Sequence, residues 1–235
     1  MAWNLRGGVL IIGSLLWQKN LTDDDTSVRL DWRNGRLDLE NRIYIKAPIR
    51  YGRKSKDGIT TMIFSNKMKN KKGFCYVIPF KKAINNKDEL LCEAISLSCA
   101  EGMKGNFVRR WGVLTYLFNN TIDNDAKKAI VQLFRKRKKN KKFDIEEYKV
   151  SGEKNCLTKS LKLNIDWPEP VLEKDKDLLN KFHFLLATAT KPQNPAPNLS
   201  EISESVKSDM KRMYFINNMI NGIITAEDFE ISKLL

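Results

Sequence analysis

The sequence predicts an α+β protein: a small mixed β-barrel with packed helices, followed by a more helical, basic C-terminal region. Three observations predict it. Four β-branched or aromatic runs crowd the first 80 residues, with short polar loops between them. One amphipathic segment then follows, with capping residues before it and a glycine after it. Beyond residue 120 helical spacing prevails and the basic residues concentrate. A loose domain boundary near 120 therefore separates 1–120 from 121–235.

Val9–Trp17 is a continuous apolar run of strand length, interrupted by Gly13-Ser14. It lacks a small-x-small cleavage site and two glycines precede it, so it reads as a buried first strand rather than a signal-peptide core. Arg42–Ile49 alternates in part and leads into a polar turn-like stretch, Tyr51 to Gly58. Ile59–Ser65 and Phe74–Phe80 are further strands, separated by the basic loop Asn66 to Lys72. A helix spans Lys87 to Glu101, capped by Asn86 or Asp88 and stopped by Gly102. Val108–Phe118 fits a strand or a short helix equally well. Asp125–Lys136 reads as a helix, Leu161–Trp167 alternates up to Pro168, and Lys174–Ala187 reads as another helix. Residues 191–200 (KPQNPAPNLS) form a linker or an extended crossing segment. After them Ile202, Val206, Met210, Met213, Ile216 and Ile220 make one helical stripe, with Asn198 or Ser200 as cap and Gly222 as stop.

Charge and rare residues narrow the chemistry. In 235 residues, 42 Lys and Arg outweigh 28 Asp and Glu, for a net charge of +14. Such a balance suits a partner with negative charge and says nothing about fold. His183 is the single histidine, so a multi-histidine metal site is excluded. Cys75, Cys92, Cys99 and Cys156 form no C-x-x-C pair and read as reduced thiols of a cytoplasmic protein. No apolar run reaches the roughly 18 to 20 residues that a membrane crossing needs, so no membrane partner is expected.

Four features could carry function. The block Arg135, Lys136, Arg137, Lys138, Lys139, Lys141 and Lys142 could contact nucleic-acid phosphates. It contains no aromatic residue for base stacking, and a solvated helix end explains it as well. Arg50 and Arg53, with Lys54, follow a strand and could clamp a carboxylate or phosphate, or simply form a basic turn. Gly13-Ser14 inside an apolar run marks a β-bulge or a sharp turn whose amides form an anion nest. Glu101 is the fourth. At about 100° per residue it falls between Leu90 and Ala94 on the helical wheel, whereas Glu89 and Glu93 point elsewhere. Desolvation on that face makes a carboxylate a usable acid or base near neutrality, unless the terminal residue swings out to water.

The string Leu10-Ile11-Ile12-Gly13-Ser14-Leu15-Leu16-Trp17 resembles the F-G-Y-G-S-L-x-W signature that opens the ChaC-like gamma-glutamylcyclotransferases. Leu97-Ser98-Cys99-Ala100-Glu101 is similar to that family's L-x-x-R-E helix end. Ile12 stands where the family has tyrosine, and Ala100 where it has arginine. The resemblance implies that Gly13, Ser14 and Leu15 hold the glutamyl part of a gamma-glutamyl substrate at the mouth of a small barrel. It implies Glu101 as general acid/base, 5-oxoproline as product, and no metal or cofactor. The competing expectation is a non-enzymatic, nucleic-acid-associated protein acting through 135–142.

Overall fold

The computed structural model describes residues 3–19, 28–138, 143–209 and 213–235. In chain order its elements are β1 (Gly7–Ile11), α1 (Val28–Arg36), β2 (Ile43–Ala47), β3 (Ile49–Lys54), β4 (Thr60–Phe64) and β5 (Gly73–Pro79). Next come α2 (Lys87–Ala100), β6 (Val108–Arg109), β7 (Gly112–Phe118) and α3 (Asn124–Lys138). The remainder comprises β8 (Glu169–Pro170), α4 (Lys176–Asn180), β9 (Phe184–Thr190), α5 (Leu199–Ser208), α6 (Met213–Ile220) and α7 (Asp228–Lys233).

Among the described residues seven strands make one mixed sheet in the order β6-β7-β9-β1-β5-β2-β8, and β3 and β4 pair with each other in a separate hairpin. β1 is central. It runs antiparallel to β5 and parallel to β9, and all five of its residues are buried. A strand covered on both faces has no polar side to show, which is why Val9–Ile11 reads as an unbroken apolar run. The α+β class holds, but no closed barrel forms among the described residues. β6 and β8, each two residues long, end the sheet with no pairing between them, and the β3–β4 hairpin leaves the sheet altogether.

The helix expected over Lys174–Ala187 is only a short α4, and the rest is β9. Phe184–Ala187 are all buried between β1 and β7, and a short apolar run of this kind carries no period that separates helix from strand. Val108–Phe118 resolves into the β6–β7 hairpin. Leu161–Trp167 forms no strand; Leu161 takes φ 67°, and isolated bridges (Leu157 to Leu163, Lys162 to Tyr116) together with hydrogen bonds such as the Asn164 amide to Cys156 O at 2.7 Å hold this stretch. Residues 191–198 form a connection without helix or strand, the Gln193 amide donating to Gly52 O at 2.6 Å, and Leu199 and Ser200 already belong to α5. Among the described residues the C-terminal stripe falls on two helices rather than one, and Met210 lies outside the described residues. Ile202 and Val206 of α5 are buried, but Ile216 and Ile220 of α6 are 41% and 75% exposed, while Phe215 and Asn218 face inward. No described helix is long and apolar enough to cross a membrane.

Two local devices position the site. α2 starts as expected: the Asn86 side chain accepts from the Asp88 and Glu89 amides. It ends with Gly102 at φ 76° and the Met103 amide bonded to Ser98 O at 2.7 Å, a left-handed turn that a glycine adopts without strain. Glu101 is thereby fixed as the last residue before the chain turns away. After β1 the chain coils once, the Leu16 amide donating to Gly13 O at 3.0 Å and the Gln18 amide to Ser14 O at 2.8 Å.

Candidate functional site

A cavity of about 410 Å³ opens between the β1 turn, the C-terminal end of α2, the β3–β4 hairpin and α6. That volume lies within the roughly 300–1,000 Å³ of small-molecule sites. Gly13, Ser14, Leu15, Arg53 and Glu101 all line it. Four segments well separated in sequence thus meet around one space.

Arg29, buried on α1, ties the two central features together. Its Nε donates to Ala100 O at 3.0 Å, capping a carbonyl at the end of α2. Its Nη1 donates to Ser14 Oγ at 3.1 Å and to the Gln18 side chain, and its Nη2 lies 3.4 Å from Glu101 Oε2. One guanidinium therefore sets where the Glu101 carboxylate stands relative to the Gly13 turn. Arg33, one helical turn on, donates to Leu15 O and Gln18 O and holds the same turn from beneath. Burial, with Arg29 beside it, brings the Arg33 pKa down to about 10, still well above neutrality. Among the described residues the Ser14 and Leu15 amides donate to no protein acceptor, which leaves them for an anionic ligand.

Arg53 lies over the Trp111 ring, 5.1 Å from its centroid, and forms no ion pair among the described residues. Burial lowers its pKa, and the nearby Tyr214 and Glu101 act in the opposite sense. A desolvated guanidinium with no carboxylate of its own is suited to a ligand's. Thr188 and Thr190 also line it, and their hydroxyls are buried with no hydrogen-bond partner among the described residues. No group of three or more His, Cys, Asp or Glu side chains converges among the described residues.

Arg50 is elsewhere. It is 6% exposed and lines a separate cavity with Lys67, Glu153 and Pro197. Glu153 at 3.5 Å, Glu227 at 3.8 Å and Pro197 O at 3.2 Å occupy its guanidinium, so no charge is left over for a ligand. Beside it, burial pushes the Asp228 carboxyl up to about 6, against hydrogen bonds from Thr225 that pull it down. The folded chain thus holds a proton here that the unfolded chain, at the ordinary value of 3.8, releases. That stabilisation is complete below about pH 4 and lost as the pH rises through 6, a difference of about 3 kcal/mol. Asp228→Asn should flatten stability between pH 4 and 6 in denaturant titrations; an unchanged pH profile would rule the group out as its source.

The described residues of the basic block line no part of the Glu101 cavity. Arg135, Lys136 and Arg137 are exposed on the last turns of α3, and Lys138 donates to Lys159 O at 2.6 Å and lies over the Phe143 ring. Lys139, Lys141 and Lys142 lie outside the described residues.

Sequence reasoning missed Arg29, Trp111 and Tyr214, all of which line the cavity. Arg29, Arg33 and Arg36 do recur at i, i+4 and i+7, the spacing of one helix face, but in charged residues that pattern reads as a solvated stripe. The chain matches no family model, no curated protein and no solved structure.

Proposed function

We propose that the protein is a gamma-glutamylcyclotransferase-like enzyme that cyclises a gamma-glutamyl amide to 5-oxoproline. The observation that carries this reading is that Glu101 and the Gly13–Leu15 turn share one cavity, with Arg29 joining Ser14 Oγ to the Glu101 carboxylate. The α-carboxylate of the glutamyl group is held by the free amides of the turn and by Arg53. Glu101 takes a proton from the α-ammonium. The freed amine attacks the γ-carbonyl carbon, a C–N bond forms, and the carbonyl electron pair moves to oxygen. When the pair returns, the bond to the leaving amine breaks, Glu101 returns the first proton to that nitrogen and relays to it the second, shed by the ring nitrogen, so the lactam is neutral and the amine departs as its ammonium. The reaction is internal and redox-neutral and consumes no water. Holding the nucleophile and carbonyl in one molecule already removes much of the entropic barrier, so the protein's task is orientation and proton transfer.

The test is direct. The purified chain, given γ-glutamylalanine, should release 5-oxoproline and alanine in equal amounts. Arg53→Leu should raise KM roughly tenfold, the loss of one charge-assisted contact of about 1.5 kcal/mol. Absence of 5-oxoproline from the wild-type reaction would overturn the assignment.

A further inference from the structure

Tyr214 reaches the Gly13 turn from α6, near the other end of the chain. A Cβ at Gly13 would stand 2.7 Å from its hydroxyl oxygen, and the same residue lines the cavity beside Arg53 and Glu101. The ring is pinned. Its oxygen accepts from the Met62 amide at 3.2 Å, and Trp17 packs edge-on against it with centroids 6.2 Å apart. Trp17 is itself held by its Nε1 bond to Asn218 Oδ1 at 2.8 Å, and Asn218 is fully buried one turn along α6. Yet among the described residues there is no hydrogen bond in which the Tyr214 O–H donates. A phenol fixed this firmly at the wall of a cavity, with its own proton unused, is a built donor.

We propose that the Tyr214 O–H donates to the carbonyl oxygen of the ligand held between the Gly13 turn and Glu101. Under the cyclisation reading, on which this identification rests, that atom is the γ-carbonyl oxygen. Negative charge collects there when the amine adds and leaves when the carbonyl re-forms, and a preorganised donor stabilises that state more than the substrate. Burial pushes the Tyr214 phenol above its ordinary value despite Arg53 nearby, so it stays neutral and lends a hydrogen bond without giving up its proton. Arg29 is largely committed, four of its five N–H donors going to Ser14, Gln18, Ala100 O and Glu101.

Tyr214→Phe in the full chain separates this role from a structural one. With γ-glutamylalanine, kcat should fall roughly a hundredfold while KM moves less than about threefold, as expected when a transition-state donor is removed. A kcat within threefold of the wild type would overturn the proposal and leave the cyclisation reading standing. If Tyr214→Phe fails to fold, 3-fluorotyrosine at 214, a more acidic phenol, should move the alkaline limb of kcat to lower pH; an unmoved limb would overturn it. A wild-type chain that makes no 5-oxoproline overturns the cyclisation reading instead. The donor is then read from affinity for 5-oxoproline itself. Roughly tenfold weaker binding by Tyr214→Phe supports it, and equal affinity overturns it.

Discussion

Glu101→Gln should lower 5-oxoproline release roughly a thousandfold, within the 10²- to 10⁴-fold that a positioned acid/base contributes. Glutamine keeps the volume of the side chain and an oxygen that Arg29 can still meet. Arg29 also retains Ser14 Oγ, Gln18 Oε1 and Ala100 O, so the link between α2 and the turn survives the change. The amide cannot accept the α-ammonium proton or return one to the leaving nitrogen, and both halves of the reaction stall. Circular dichroism and melting temperature should stay close to wild type, since the ion pair lost is a long one at 3.4 Å. Substrate should still bind, because the turn amides and Arg53 are untouched. Turnover within threefold of the wild type would remove Glu101 from the chemistry.

The fold was most legible where local rules act alone. α2 begins at its asparagine cap and ends at its glycine, because capping and the left-handed turn are decided within a few residues. β4 and β5 fall where β-branched and aromatic runs predict them. β9 was hidden for the opposite reason. Its register between β1 and β7 is settled by strands far away in sequence, and its buried run shows no period of its own. That no closed barrel forms among the described residues reflects a non-local choice as well: β3 and β4 take each other as partners and stay outside the main sheet.

The site divides in the same way. Glu101 could be picked out on a helical wheel because α2 sets which face it lies on, although the groups it meets there come from other elements. The Gly13 turn could be found because a glycine interrupts an apolar run. Arg50 and Arg53 look alike in sequence, yet Glu153 and Glu227 arrive from distant segments to neutralise Arg50, while Arg53 lies over an indole and forms no ion pair among the described residues. Tyr214 was concealed by the stripe, which assigned Met213 and Ile216 to the buried face. The stripe does not carry across the break from α5 to α6, where Phe215 and Asn218 face inward and the phenol meets the turn. A periodic pattern continues across such a break only if the axis does.

Gly13→Ala should lower stability by about 2 kcal/mol, the cost of forcing an extra methyl into a packed site. The backbone does not demand glycine there, since Gly13 lies outside the left-handed region. The obstacle is one atom. A new Cβ would meet the Tyr214 hydroxyl at 2.7 Å, whereas the next nearest atom, the ring carbon that bears it, is at 3.7 Å, an ordinary contact. The hydroxyl cannot yield cheaply, because Met62 and Trp17 hold the ring where it is. Tyr214→Phe alone should cost about 1 kcal/mol by leaving the Met62 amide unpaired. The double variant should then be no less stable than Tyr214→Phe, since removing the oxygen gives the methyl its room. The coupling of about 2 kcal/mol would be read from denaturant midpoints in a double-mutant cycle. Additive losses would mean that the turn and α6 do not touch through this atom. The same cycle run on turnover gives a second reading. Gly13→Ala displaces the phenol and should cost activity, but in the Tyr214→Phe background it has no donor left to displace and should cost little more.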